Sequence, residues 1–190
     1  MERVICLFIG YVFGLFQTAY FYGKTKGIDI RKYGSGNAGT TNALRVLGTK
    51  AGLIVFAGDC LKCIIAVCIT RALFSTGHPE NIYLLCLYTG AGSIIGHNFP
   101  FYMGFKGGKG IAATAGLILS FHPYFIVMGV VLFFGAFLTT HYVSLGSLLV
   151  YAGFMIQMVV CGQMGLFGAM PQSQPVSYTH LRAHETGAYL

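Results

Sequence analysis

The chain has 190 residues, of which 55% are hydrophobic and 9% charged, with a mean hydropathy of +0.70. Soluble domains carry about a quarter of their residues as Asp, Glu, Lys or Arg, and a chain this short has too much surface to stay soluble with so few. A soluble enzyme and a nucleic-acid-binding domain are excluded despite the net charge of +7 and a pI near 9.2; disorder is excluded by the apolar content, and a small all-α integral membrane protein remains.

The uncharged run at residues 4–22 is long enough to cross the hydrocarbon core as a helix. It lacks the basic leader and cleavage site of a signal peptide. Residues 51–70 form a second predicted span, and residues 82–95 a shorter third whose end is rich in glycine. The fourth, residues 111–121, stops at His122-Pro123, where proline disfavours continuing a helix. Residues 124–140 and 143–161 complete a predicted bundle of about six transmembrane helices.

Basic residues orient the bundle. Lys24, Lys26, Arg31, Lys32, Arg45 and Lys50 fall in the first loop, and Lys106 and Lys109 in the third, leaving Arg3 and Arg71 for the opposite side. The positive-inside rule then places the N-terminus outside and both basic loops in the cytoplasm. The six cysteines read as small buried apolar residues; Cys60-x-x-Cys63 lies inside a span without a second Cys or His pair, so no metal site is expected.

The first loop contains Gly34-Ser-Gly-Asn-Ala-Gly-Thr-Thr-Asn-Ala-Leu-Arg45. Gly34, Gly36 and Gly39 match G-x-G-x-x-G, but the dinucleotide fingerprint requires a βαβ unit, and here membrane spans flank it. Glycines let backbone N–H groups converge on an anion. Ser35, Asn37, Thr40, Thr41 and Asn42 add neutral donors, and Arg45 can grip a phosphate or carboxylate with two parallel hydrogen bonds. The competing reading is a solvated basic loop obeying the orientation rule.

The third loop reads Gly96-His-Asn-Phe-Pro-Phe-Tyr-Met-Gly-Phe-Lys-Gly-Gly-Lys-Gly-Ile111. Its Gly104–Gly108 spacing is one residue short of a P-loop, and Gly110 stands where a Mg²⁺-binding hydroxyl is needed. Lys106, Gly107, Gly108 and Lys109 ahead of a helix start still make a phosphate cradle. His97 is the best-placed imidazole, with interfacial packing as the competing reading. Asp59 and Lys62 are the charges inside an apolar span; their i, i+3 spacing lets them pair, and intramembrane charges are functional candidates by default. Ser144 and Ser147 form a small hydroxyl cluster after Tyr142, although serine also simply packs membrane helices.

Together the two loops resemble the bacterial acyl-phosphate–glycerol-3-phosphate acyltransferases. The likeness runs from the first span to about Val160. It rests on Gly34–Asn42 with Arg45, on Gly96-His-Asn-Phe-Pro100, and on Phe105-Lys-Gly-Gly-Lys-Gly-Ile-Ala112. Asp59-x-x-Lys62 is similar to the family's second span, with Cys63 where glycine is usual, and Tyr142–Ser147 resembles its serine-bearing turn. The resemblance implies a multi-pass enzyme of the bacterial cell membrane. It would move a fatty acyl group from acyl phosphate to the 1-hydroxyl of glycerol 3-phosphate, as a monomer, with no cofactor. Its partners are those two substrates and membrane lipid, not nucleic acid.

The residues expected to act are Ser35, Asn37, His97 and Lys106 in catalysis. Gly34, Gly36, Arg45, Gly107, Gly108, Lys109 and Ser144 would hold substrate phosphate, and Asn42, Asp59 and Lys62 would support them. A His-x-x-x-x-Asp general base is excluded, because neither Asp29 nor Asp59 lies five positions after a histidine. The hydroxyl proton would go to a phosphate on the bound substrate or to His97. The alternative function is a small transporter for an organic phosphate, but its site belongs near the midplane and across internal repeats; no repeat is evident, and the polar residues cluster at one membrane face.

The C-terminal stretch departs from this pattern. Residues 1–175 read as one membrane domain lacking the family's seventh helix, and residues 176–190 as a non-native tail resembling translated adaptor sequence. On that reading His180, Arg182, His184 and Glu185 do not replace the family's C-terminal polar motif.

Overall fold

The structure is a computed structural model that describes residues 1–165. Its helices are α1 (Glu2–Gly14), α2 (Thr18–Thr25), α3 (Thr40–Leu47), α4 (Thr49–Phe74), α5 (Ile82–Asn98), α6 (Ile111–Phe121), α7 (Pro123–Thr140) and α8 (Val143–Gln163). Short 3-10 turns at Ile30–Lys32, Pro79–Asn81 and Phe101–Met103 join them. The predicted end of the membrane domain and the tail beyond it lie outside the described residues.

Among the described residues, four segments are long and apolar enough to cross a bilayer: Glu2–Thr25, Thr49–Phe74, Pro123–Thr140 and Val143–Gln163. α5 has 17 residues and α6 only 11. At about 1.5 Å per residue α6 reaches roughly half the hydrocarbon thickness. It ends where expected, at His122, whose Nδ1 accepts from the Tyr124 N–H to start α7. The exposed surface is apolar, with Phe8, Leu53 and Leu138 each more than 60% exposed. Gln17, Asp59, Lys62 and His97 are buried instead. This polar-in, apolar-out arrangement is the one a bilayer selects.

One sequence expectation is corrected. The first span is not one helix: the chain breaks between α1 and α2, with Gln17 in an extended conformation. No proline causes this. Buried side chains bond the freed carbonyls, which makes a broken helix tolerable at membrane depth. Within the first loop, Asn42 and Arg45 sit on the short helix α3. That helix starts after Gly39 and ends at Gly48, whose φ of +88° turns the chain directly into α4.

The closest packing joins α1 to α5. Added Cβ atoms at Gly10 and Gly14 would collide with the main-chain oxygens of Thr89 and Ser93, and at Gly92 and Gly96 with those of Leu7 and Tyr11. Small residues at four-residue spacing on both helices bring the backbones together. This contact sets the end of α5, and so His97, against the break after α1. One apolar cluster, centred on Val67, Leu117, Phe121 and Phe125, lies toward the far end of the bundle. A second, formed by Ala19, Ile30, Ala38, Ala43, Val55 and Met103, fastens the two Gly-rich loops to the α2–α4 side.

Candidate active site

The first loop is shaped around Asn42. Its Oδ1 accepts from the Ser35 N–H at 2.9 Å, and its Nδ2 donates to the oxygens of Ile30 (3.2 Å) and Tyr33 (3.0 Å). Three bonds from one buried amide hold the backbone of residues 30–35 in a tight curve. Gly34 has φ +60°, and a Cβ there would collide with Asn42 Oδ1. At the loop's start Asp29 accepts from the Arg31 N–H and pairs with its guanidinium through both oxygens, at 3.0 and 2.8 Å. The Arg31 guanidinium beside it holds the Asp29 carboxyl down to about 2. Arg31 also stacks over Tyr20.

Beneath the loops lies a buried node of charge. Lys62 Nζ stands 3.0 Å from Asp59 Oδ1 and 2.7 Å from His97 Nδ1. It also donates to the carbonyls of Phe16 (2.6 Å) and Gly14 (3.2 Å), which the break after α1 leaves free. Thr18 Oγ1 donates to Asp59 Oδ1 at 2.9 Å, and Gln17 Nε2 to the His97 oxygen at 2.9 Å. Tyr102, from the third loop, donates its hydroxyl to the Leu15 oxygen at 2.6 Å. Residues from both spans and a loop thus satisfy the broken segment.

The third loop turns back onto the end of α5. The N–H groups of Gly107 and Gly108 donate to the oxygens of Asn98 (3.0 Å) and His97 (3.1 Å). A Cβ on Gly108 would collide with His97 Nε2 and would lie 3.0 Å from the Ala38 oxygen of the first loop. The two loops and the imidazole therefore meet at Gly108. Gly110, with φ +76°, opens α6.

Of the residues expected from sequence, the structure brings together Asp59, Lys62, His97 and Gly108, and separately Gly34, Ser35 and Asn42. Ser35, Gly36, Arg45, Lys106 and Lys109 are exposed. Arg45, Lys106 and Lys109 form no hydrogen bond or ion pair among the described residues. Asn37 is half-buried. Ser144 is exposed in the first turn of α8, a helix that packs chiefly on α7, and makes no hydrogen bond to either loop. Cys60 directs its thiol at the Ala112 oxygen, 3.1 Å away, as expected of a packing residue.

These loops follow one known design. The family described as Glycerol-3-phosphate acyltransferase matches residues 4–184. The chain belongs to that family. A glycerol-3-phosphate acyltransferase of Halalkalibacterium halodurans is 41% identical over 183 residues, covering 95% of this chain and 84% of the relative. One of Bacillus velezensis is 41% identical over 150 residues, covering 78% and 74%. The crystal structure of PlsY (YgiH), an integral membrane glycerol 3-phosphate acyltransferase, in its glycerol 3-phosphate form superposes with a TM-score of 0.73 at 30% identity, covering 98% of this chain and 94% of that one. Its lysophosphatidic acid form gives 0.72 at 29%. The family's fold is a multi-pass membrane bundle, and the chain is an acyltransferase of that kind.

Sequence reasoning missed Gln17, Thr18 and Tyr102. Gln17 carried a usable signal, a lone amide inside an otherwise apolar run, since a polar group at that depth needs an internal partner. Tyr102 gave none, because an interfacial tyrosine is ordinary.

Proposed function

We propose that this acyltransferase takes its acyl group from acyl phosphate and delivers it to the 1-hydroxyl of glycerol 3-phosphate at the junction of the two Gly-rich loops. The observation that carries this reading is the meeting of Ala38, Gly108 and His97 at one point. The unpaired cations Arg45, Lys106 and Lys109 belong to the same two loops. Both substrates bear phosphate, and exposed basic groups suit such anions. The N–H groups of Ser35, Gly36, Gly107 and Gly108 are spent within the loops, so the cations and not a backbone cradle carry the phosphate contacts.

The hydroxyl oxygen attacks the acyl carbon, forming the ester C–O bond. The bond from that carbon to the phosphate oxygen breaks, and inorganic phosphate leaves beside lysophosphatidic acid. Ser35, Arg45, Lys106 and Lys109 bind phosphate and offset charge on the acyl oxygen and leaving group. Gly34, Gly36 and Gly107 let the backbone approach, and Asn37 orients the hydroxyl. Asn42 shapes the first loop and Asp59 and Lys62 brace the site from below. Ser144, exposed at the start of α8, adds a hydroxyl to the phosphate contacts. The proton passes to a phosphate oxygen of the bound substrate, because His97 Nδ1 is already occupied by Lys62. The loops face the cytoplasm of the bacterial cell, and the acyl tail stays in the bilayer.

The test uses the purified full chain with acyl phosphate and labelled glycerol 3-phosphate, and acyl-CoA as the competing donor. Lysophosphatidate and phosphate appearing in equal amounts from acyl phosphate alone support the reading. Product from acyl-CoA and none from acyl phosphate overturns it.

A further inference from the structure

Lys62 has four neighbours and three N–H bonds. Its partners at Phe16, Gly14 and Asp59 can only accept: two are carbonyls and one is a carboxyl oxygen. A neutral amine would offer only two donors here, whereas an ammonium offers three and compensates the carboxylate. With His97 Nδ1 as the fourth neighbour one hydrogen is shared, the longest contact being that to Gly14 at 3.2 Å. An ammonium has no lone pair, so the 2.7 Å contact to His97 Nδ1 is a bond from Lys62 to an unprotonated ring nitrogen. An imidazolium would set two like charges at that distance inside the bundle. An Nδ1–H tautomer would point hydrogen at hydrogen. Asp59 Oδ1, at 3.7 Å from Nδ1, is too far to accept from it.

We propose that Lys62 is a positioning residue for acyl transfer: it fixes His97 as the neutral Nε2–H tautomer and presents that hydrogen as a donor at the Gly108–Ala38 junction. The donor bonds to an oxygen of the substrate held there, so His97 works by hydrogen bonding and not by taking the hydroxyl proton. Gly108 is glycine because any side chain would fill the space directly against Nε2. Asp59 keeps Lys62 charged, and Thr18 holds the same Asp59 oxygen. The charged groups facing the ring are thus Asp59 and Lys62 of α4. The α1–α2 break contributes carbonyls and Gln17, and the third loop contributes backbone.

This role rests on the acyl-transfer reading, but its primary test does not need turnover. The full chain, labelled with ¹⁵N-histidine and held in detergent micelles, is compared with His97→Gln to assign the ring signals. The expected result is an unprotonated Nδ1 and a protonated Nε2, unchanged between about pH 6 and 8, where a free imidazole titrates. Glycerol 3-phosphate should shift Nε2. A protonated Nδ1, or titration of the ring within that range, overturns the proposal without any variant. In Lys62→Met the Nδ1 constraint should vanish, and in folded protein kcat should fall on the order of 10²-fold with KM changed little, as for a misaligned group. An unaltered ring spectrum in Lys62→Met would also sink it. Failure of acyl phosphate as donor, with the tautomer found as expected, would remove the reaction and leave the Lys62–His97 geometry standing.

Discussion

Lys62 Nζ lies 2.6 Å from the main-chain oxygen of Phe16, 46 residues earlier in the chain. That bond joins the second span to the break in the first, and it makes Lys62 part of the fold as well as of the site. Lys62→Met leaves the Asp59 carboxylate buried without its cation, a loss of about 3–5 kcal/mol in comparable pairs. Asp59→Asn/Lys62→Met removes both charges and should recover part of that loss. Thermal unfolding in detergent of the two single variants and the double variant measures it. Additive losses would show that the pair is not coupled.

Asn42 offers a different balance, because its three hydrogen bonds all serve one curve of backbone. Asn42→Asp keeps the acceptor for Ser35 N–H and removes both donors to Ile30 and Tyr33. Each lost bond is worth about 1 kcal/mol. The loop should loosen around Ser35, and KM for glycerol 3-phosphate should rise by about tenfold or more. Steady-state kinetics with varied glycerol 3-phosphate checks this, and an unchanged KM would detach Asn42 from substrate binding.

The exposed cations predict the opposite signature. Arg45, Lys106 and Lys109 bond to nothing among the described residues, so their removal should leave stability within about 0.5 kcal/mol. Their loss should appear in kinetics alone. Arg45→Lys should already weaken phosphate binding, since an ammonium cannot reproduce the planar two-pronged contact. A melting temperature lowered as far as in Lys62→Met would show that these residues are structural.

Asp29 supplies a pH dependence of known sign. Its folded pKa is about 2 against an ordinary 3.8, first because of its hydrogen bonds with Arg31. The carboxylate form is the one the fold prefers, so the contribution is present above the ordinary value and is lost as pH falls through about 2. Amide exchange in the Ile30–Lys32 turn should stay protected at about pH 5 and lose protection in strong acid. Asp29→Ala, which removes the accepting oxygen, should be unprotected at both.

How much of this was legible in the sequence follows from the range of each interaction. The spans came from local apolar runs, the Asp59–Lys62 pair from helical spacing, and the loops from clustered glycine and lysine. The break after Gly14 was not legible, because its cause is remote: Lys62, Tyr102 and the end of α5 supply the partners for the broken turn. His97 was singled out as the best-placed imidazole, and the structure sets it in the buried node with Asp59 and Lys62. Its Nδ1 contact with Lys62 could not be read from a position 35 residues away in the chain. Ser144 was named by motif likeness alone, and the structure places it exposed in the first turn of α8.

The fate of the hydroxyl proton separates the remaining mechanisms. A substrate phosphate can accept it only as the dianion, and a phosphate monoester passes to that form with a pKa of about 6. Activity should therefore decline as pH falls below that value. If His97 were the base, the same decline would report the imidazole and would disappear in His97→Gln. With the proton on phosphate, His97→Gln lowers kcat but keeps the acid limb of kcat/KM, because the titrating group arrives with the substrate. Replacing glycerol 3-phosphate by its phosphonate isostere, a weaker acid, then locates that group. An acid limb displaced to higher pH places it on the acceptor substrate, and an undisplaced limb that survives His97→Gln places it on the acyl donor. Only an acid limb abolished by His97→Gln returns the proton to the protein.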